Sequence, residues 1–126
     1  MKIAPQQVEG LLKRDPLVSH AMVYGDRRPY LVALLTLRPE GVATFARAQG
    51  ILTNDPSLLA RHPKVVERVE AIVQAANAEL PPYARIKKFA VLPVDVTEEG
   101  GELTPTQKVK RQRAAEKYAA ELASLY

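Results

Sequence analysis

Residues 17–37 read LVSHAMVYGDRRPYLVALLTL, two apolar runs on either side of a short turn-rich segment. The runs 17–24 and 30–37 are rich in aliphatic and β-branched residues, whereas the segment 25–29 has the glycine and proline typical of turns. This pattern predicts two antiparallel strands. Residues 31–35 show little alternation, so we expect this strand to be covered on both faces by helices.

Three segments have the apolar spacing of helices that could cover such a sheet. Residues 5–14 begin with a proline, which the first helical turn tolerates, and end at Asp15-Pro16. Residues 39–50 form a second predicted helix, and residues 63–79 form the clearest amphipathic one. Its buried face is expected to include Val65, Val69, Ile72 and Val73. Two helices therefore fill the length between the second strand and Pro81.

The last third of the chain completes the predicted architecture. A third strand is expected over residues 86–92, followed by a loop with short pairing near Leu103. A final helix is predicted over residues 109–125, and one face of it holds Ala115, Tyr118, Leu122 and Leu125. The sequence thus predicts an α+β fold, a small sheet of about three strands flanked by helices.

The composition limits the kinds of catalysis and metal binding that the chain can support. The chain has 126 residues, no cysteine, and 18 Lys and Arg against 14 Asp and Glu, for a net charge of +4. Its length suits one domain. The absence of cysteine excludes disulfides and thiolate catalysis, and His20 and His62 lie in no metal-ligand spacing, so we expect no metal site.

Residues 101–111 read GELTPTQKVKR, and they contain the strongest candidate for a functional side chain. A Thr-Pro-Thr turn cannot continue a helix, so it presents Lys108 at the tip of a loop ahead of a helix. A lysine held there is suited to act as a point charge on an anionic substrate. From residue chemistry alone, a solvated basic turn is the simpler interpretation.

Three segments resemble motifs of the adenylate-forming enzymes. Residues 102–111 resemble the C-terminal lysine motif in its long-chain acyl-CoA synthetase version. Residues 2–9, KIAPQQVE, resemble the second half of the motif that follows the interdomain hinge. Residues 15–18 and 23–34 resemble the two strands that come next. The three segments have the right order and spacing, and the likeness runs from residue 2 to residue 126.

The chain is therefore similar to the small, mobile C-terminal lid domain of a long-chain fatty-acid–CoA ligase. Residues 1–126 would be that single domain, with the large N-terminal adenylation domain absent. The resemblance implies ATP and Mg²⁺, bound mainly by the absent domain, and coenzyme A as cosubstrate. It also implies a cytoplasmic enzyme without a transmembrane segment, and it leaves peripheral membrane association of the full enzyme open. The fragment alone is expected to be inactive.

The resemblance also assigns residues. It makes Lys108 the catalytic lysine of acyl-adenylate formation. Ile3, Pro5 and Glu9 match the post-hinge motif, which faces the coenzyme A path, although Ile3 also suits a core contact. The superfamily commonly has glycine just before the lysine, whereas this chain has Gln107, as the long-chain branch tolerates.

Two other functions remain open from the sequence. The charge and the basic residues 108–113 would suit a small nucleic-acid-binding domain. A non-catalytic interaction module with the same fold is the other alternative. No aromatic residue is interleaved with the basic ones, which favours a solvated helix start facing the partner domain over a nucleic-acid patch.

Overall fold

A computed structural model describes residues 4–25 and 27–126, in which three strands form one mixed sheet. The strands are β1 (Val18–Tyr24), β2 (Leu31–Leu37) and β3 (Ile86–Val91). The central strand β2 pairs antiparallel with β1 and parallel with β3. The predicted α+β class, the three strands and the antiparallel hairpin are confirmed.

Six α-helices accompany the sheet in the described part of the chain. They are α1 (Pro5–Leu12), α2 (Pro39–Ala48), α3 (Pro56–Arg61), α4 (Pro63–Asn77), α5 (Arg111–Lys117) and α6 (Ala119–Ala123). The first four begin with proline, whose missing N–H costs nothing in a first turn and whose φ suits a helix. None of the described helices is long and apolar enough to cross a membrane.

Both faces of β2 are buried, as its uninterrupted apolar run predicts. Ala33 and Leu35 belong to a core shared with α1 and α4, which includes the predicted Val65, Val69, Ile72 and Val73. Val32 and Leu34 belong to a second core on the opposite face, formed with Leu92, Val96, Leu103, Ala114, Tyr118 and Leu125. The two-fold period of a strand separates these pairs of side chains.

The sequence prediction was wrong about the number of helices between β2 and Pro81. There are three, because a short helix, α3, stands between α2 and α4. Asp55 caps it, and its Oδ1 atom accepts a 2.9 Å hydrogen bond from the Ser57 amide. A helix of one and a half turns is too short to show an apolar period, although its capping residue was visible.

The predicted final helix was also too long. It begins at Arg111, and it breaks at Tyr118, where φ is −110° and ψ is 33°. Tyr118 and Leu125 are both buried in the second core, while Ala114, not the predicted Ala115, is fully buried beside them. The break allows the chain to change direction and keep both large side chains on the sheet.

Candidate functional site

Lys108 lies in a tight loop that its own backbone closes. Leu103 and Val109 form an isolated antiparallel bridge, which confirms the expected pairing near Leu103. Inside it, the Thr104 amide donates to the Lys108 carbonyl at 2.8 Å, and the Lys108 amide donates to Thr104 Oγ1 at 3.0 Å. We call residues 104–108 the lysine loop. It is exposed at residues 105–108, so the Lys108 side chain is presented to solvent immediately ahead of α5.

Gln107 has a backbone conformation that favours glycine. Its φ is +66°, in the left-handed region that glycine enters without steric cost. The glycine that the resemblance leads us to expect just before Lys108 would fit that backbone conformation. Gln107 adopts this conformation, and its backbone amide donates to the Thr104 carbonyl at 2.9 Å.

A surface cleft of about 420 Å³ joins the lysine loop to α1 and β1. We call it the lysine cleft, and its lining consists of Gln6, Glu9, Gly10, Lys13, His20, Ala21, Met22, Gln107, Lys108, Val109 and Arg111. Three of these residues are cationic and one is anionic. Among the described residues, Lys13 and Lys108 make no ion pair. The cleft is therefore suited to an anionic group.

Glu9 links α1 to the segment that carries Lys108. Its Oε2 atom accepts a 2.8 Å hydrogen bond from the Val23 amide and also pairs with the Arg111 guanidinium. The Tyr24 hydroxyl donates to the Arg111 carbonyl at 2.8 Å. Burial raises the pKa of Tyr24 to about 12, the nearby Arg111 charge opposing this and Glu9 adding to it. Tyr24 thus remains a neutral hydrogen-bond donor.

The other residues predicted for the coenzyme A path are less well defined. Pro5 is exposed at the first position of α1 and is not part of the lysine cleft. Ile3 lies outside the described residues. Of the four predicted site residues, the structure brings Glu9 and Lys108 to one cleft.

A cluster around Asp95 was missed from the sequence. Its Oδ1 atom accepts hydrogen bonds from Thr36 Oγ1 at 2.6 Å and the Val96 amide at 2.8 Å, and it lies 3.0 Å from His20 Nδ1. Its Oδ2 atom accepts from Ser19 Oγ at 2.5 Å. Because a carboxylate only accepts, His20 carries its proton on Nδ1. Nothing in the spacing signals this cluster, since His20 and Asp95 are 75 residues apart.

Burial alone would favour the neutral form of Asp95. The hydrogen bonds from His20, Ser19 and Thr36 outweigh that effect and hold the pKa of Asp95 well below its usual range. Asp95 is therefore a carboxylate that anchors the start of the long segment between β3 and the lysine loop.

The second histidine, His62, and Arg85, which precedes β3, have structural partners. His62 caps α4, because its Nδ1 atom accepts a hydrogen bond from the Lys64 amide at 3.1 Å. Arg85 Nε donates to the carbonyl oxygens of Asn77 and Leu80, where α4 ends. Within residues 4–25 and 27–126, no group of three or more His, Asp and Glu side chains could hold a metal ion.

Comparison with known proteins places the chain in a family. Residues 1–126 match the model of the AMP-binding enzyme C-terminal domain, so the chain belongs to that family. It is 39% identical to the long-chain-fatty-acid–CoA ligase FadD15 of Mycobacterium tuberculosis, over 98% of this chain and 21% of that protein. It is 31% identical to the rat long-chain-fatty-acid–CoA ligase ACSBG2, again over 98% of this chain and 21% of that protein.

The fold comparison agrees with the sequence comparison. The adenylation domain of a carboxylate reductase from Mycobacterium chelonae superposes with a TM-score of 0.73 at 28% identity, over 98% of this chain and 18% of that one. The chain therefore spans about a fifth of the length of the relatives it matches.

Proposed function

We propose that this chain is the mobile C-terminal domain of an ATP-dependent long-chain fatty-acid–CoA ligase, and that Lys108 is its catalytic lysine. The observation that carries the proposal is the exposed Lys108 at the C-terminal end of a closed loop, on the wall of a cleft with a cationic excess. Family membership and the two ligase relatives support the proposed reaction class.

In the first half-reaction, a fatty-acid carboxylate oxygen attacks the α-phosphorus of ATP. An O–P bond forms, the bond to pyrophosphate breaks, and the products are acyl-adenylate and pyrophosphate. Negative charge grows on the phosphoryl and pyrophosphate oxygens, and the Lys108 ammonium would stabilise it there. Losing one such preorganised contact typically costs about 3–4 kcal/mol, or about 10²–10³-fold in rate.

In the second half-reaction, the coenzyme A thiolate would attack the acyl carbonyl carbon, and AMP would leave. We propose that the segment holding Ile3, Pro5 and Glu9 faces the coenzyme A path after the domain rotates. Exposed Pro5 is available for direct contact, whereas the Glu9 carboxylate is already bound to Val23 and Arg111. Glu9 would then act by keeping α1 aligned with the start of α5.

The remaining substrates and partners follow from the same proposal. ATP, Mg²⁺ and the acyl chain would be bound mainly by an N-terminal adenylation domain of the same enzyme. This chain alone would accordingly have no ligase activity. By resemblance to the family, we propose a cytoplasmic enzyme, with peripheral membrane association left open.

Substitution of Lys108 in the full-length ligase tests the proposal. Lys108→Ala should slow acyl-adenylate formation, measured as pyrophosphate release, by about 10²-fold or more. Thioester formation from supplied acyl-adenylate, measured as coenzyme A consumption, should stay nearly intact because that step releases AMP and creates no pyrophosphate charge.

Lys110→Ala is the matched control, because this lysine is also exposed and only two residues away. It should change neither half-reaction by more than a few-fold. Equal losses in both half-reactions for Lys108→Ala would show that the residue supports the fold or the domain contact, and the catalytic role would be wrong.

A further inference from the structure

Glu102 carries a buried carboxylate with an incomplete set of partners. Its side chain is 1% exposed, and Oε1 accepts a 2.7 Å hydrogen bond from Lys117 Nζ. Its Oε2 atom is buried without a hydrogen-bond partner among the described residues. Gly100 packs so closely against this carboxylate that a Cβ atom there would collide with it.

Stability alone is a poor explanation for this arrangement. Taking a carboxylate out of water is unfavourable, and a well-packed apolar pair of similar volume is often as stable as a buried ion pair or more so. Lys117 remains 44% exposed, so the charge of Glu102 is only partly compensated. Its bond with Glu102 raises the pKa of Lys117, with burial opposing the change, so the lysine stays charged.

The ion pair connects the two ends of the segment that carries Lys108. The Glu102 carbonyl accepts a 2.7 Å hydrogen bond from the Lys110 amide, next to the bridge between Leu103 and Val109. Lys117 is the last residue of α5, the helix that follows the lysine loop. The pair therefore fixes the base of the loop against the far end of that helix.

We propose that Glu102 is a positioning residue for Lys108, and that its ion pair with Lys117 holds the lysine loop in the orientation that acyl-adenylate formation requires. The inference rests on the proposed function of Lys108. Glu102 is buried and acts through the loop. A misplacement of about 1 Å at a reacting group can cost about 10²-fold in rate, so loosening the loop should slow acyl-adenylate formation.

The test uses the full-length ligase and both half-reactions. Glu102→Gln and Lys117→Met should each lower kcat for pyrophosphate release by about tenfold or more, with little change in KM for ATP. Thioester formation from supplied acyl-adenylate should be retained. Lys117→Arg, which keeps the charge, should keep most of the rate. The double variant Glu102→Met/Lys117→Met should keep its thermal midpoint and remain slow.

A double-mutant cycle with Lys108 separates positioning from general support of the fold. If Glu102 acts through Lys108, Glu102→Gln should cause no further loss of rate in a Lys108→Ala background. Glu79→Gln is the matched control, because it removes an exposed ion pair with Arg14, at 2.8 Å, on another part of the surface. It should leave both half-reactions unchanged.

Different results would contradict the inference about Glu102 and the proposed function of Lys108. A normal rate in the thermally intact double Met variant would overturn the inference, as would equal effects of Glu102→Gln with and without Lys108. If Lys108→Ala is slow but Glu102→Gln is normal, this inference alone is wrong. If Lys108→Ala forms acyl-adenylate at the normal rate, the proposed function is wrong and this inference with it.

Discussion

Asp95 shows how one side chain anchors a long irregular segment. Its carboxylate accepts hydrogen bonds from both strands of the hairpin, through Ser19 and His20 on β1 and Thr36 on β2, and from the Val96 amide. The Thr36 hydroxyl in turn accepts from the His20 amide at 3.0 Å. These bonds fix the direction in which the chain leaves β3 on its way to the lysine loop.

Asp95→Asn should lower the free energy of unfolding at pH 7 by about 2 kcal/mol. Hydrogen bonds to a charged group contribute about 1.5–3 kcal/mol each, and the neutral amide of the variant keeps only some of them. The pKa of Asp95 is lower in the folded state, so its contribution is complete above the unfolded pKa of about 4 and disappears as pH falls through the folded pKa. The difference between wild type and variant should therefore shrink below pH 4 in urea unfolding.

The same pair should be compared in a His20→Gln background, which replaces the imidazole with an amide that can still donate a hydrogen bond to Asp95. The prediction is wrong if the difference in free energy of unfolding between the wild type and Asp95→Asn is the same at pH 7 and pH 3. That result would show that the pKa of Asp95 is the same in the folded and unfolded states.

At the scale of helices and strands, the buried side chain of Asn77 joins the end of α4 to the start of β3 by hydrogen bonds. Asn77 Nδ2 donates to the Ile86 carbonyl at 3.0 Å, and Asn77 Oδ1 accepts from the Ile86 amide at 2.9 Å. The amide group thus takes the place of a neighbouring strand at the first residue of β3. Arg85 closes the same corner by donating to the carbonyl oxygens of Asn77, the last residue of α4, and of Leu80.

Asn77→Ala should lower the free energy of unfolding by about 2–4 kcal/mol, because two buried backbone groups of Ile86 lose their partner at about 1–3 kcal/mol each. Gln74→Ala, an exposed change on the same helix, should stay within about 0.5 kcal/mol and serves as the control. Both are measured by urea unfolding. A loss as small as that of Gln74→Ala would mean that water satisfies Ile86 in the variant.

The elements that could be predicted from the sequence are those with a local signal. The two-sided apolar run at 31–35 identified β2 and the two helical layers, and the period of residues 63–79 identified α4 and its buried face. The break at Tyr118 could not be predicted, because the surrounding residues are good helix formers. Its cause is the tertiary packing of Tyr118 and Leu125 in one core.

The features of the candidate site also differ in whether they have a local signal in the sequence. The lysine loop is a contiguous motif, so its position ahead of a helix was predictable. The links around it join residues far apart in sequence: Glu9 and Arg111 are 102 residues apart, and Ser19 and Asp95 are 76 apart. Charged residues at such separations give no periodic signal, and their pairing depends on which elements the sheet brings together.

At the scale of the whole molecule, the net charge is +4, and several of the basic side chains are engaged in local ion pairs. Arg14, Arg68, Arg111 and Lys117 each form an ion pair with an acidic residue. Arg111 is therefore not available to a phosphate backbone without loss of its bond to Glu9. What remains of the basic segment 108–113 is a few exposed side chains around the lysine loop.

This distribution predicts that the domain binds nucleic acid weakly and without sequence preference. A protein that contacts few phosphates releases few counterions, and its affinity falls with a log–log slope of about −0.9 per phosphate contacted on duplex DNA. Fluorescence anisotropy with duplex and single-stranded DNA should detect binding at low salt and none near physiological salt. The double variant Lys110→Ala/Arg113→Ala should reduce the low-salt binding. Submicromolar affinity near about 150 mM salt, tighter than the usual non-specific range of about 10⁻⁴–10⁻⁶ M, would favour the nucleic-acid alternative over the ligase.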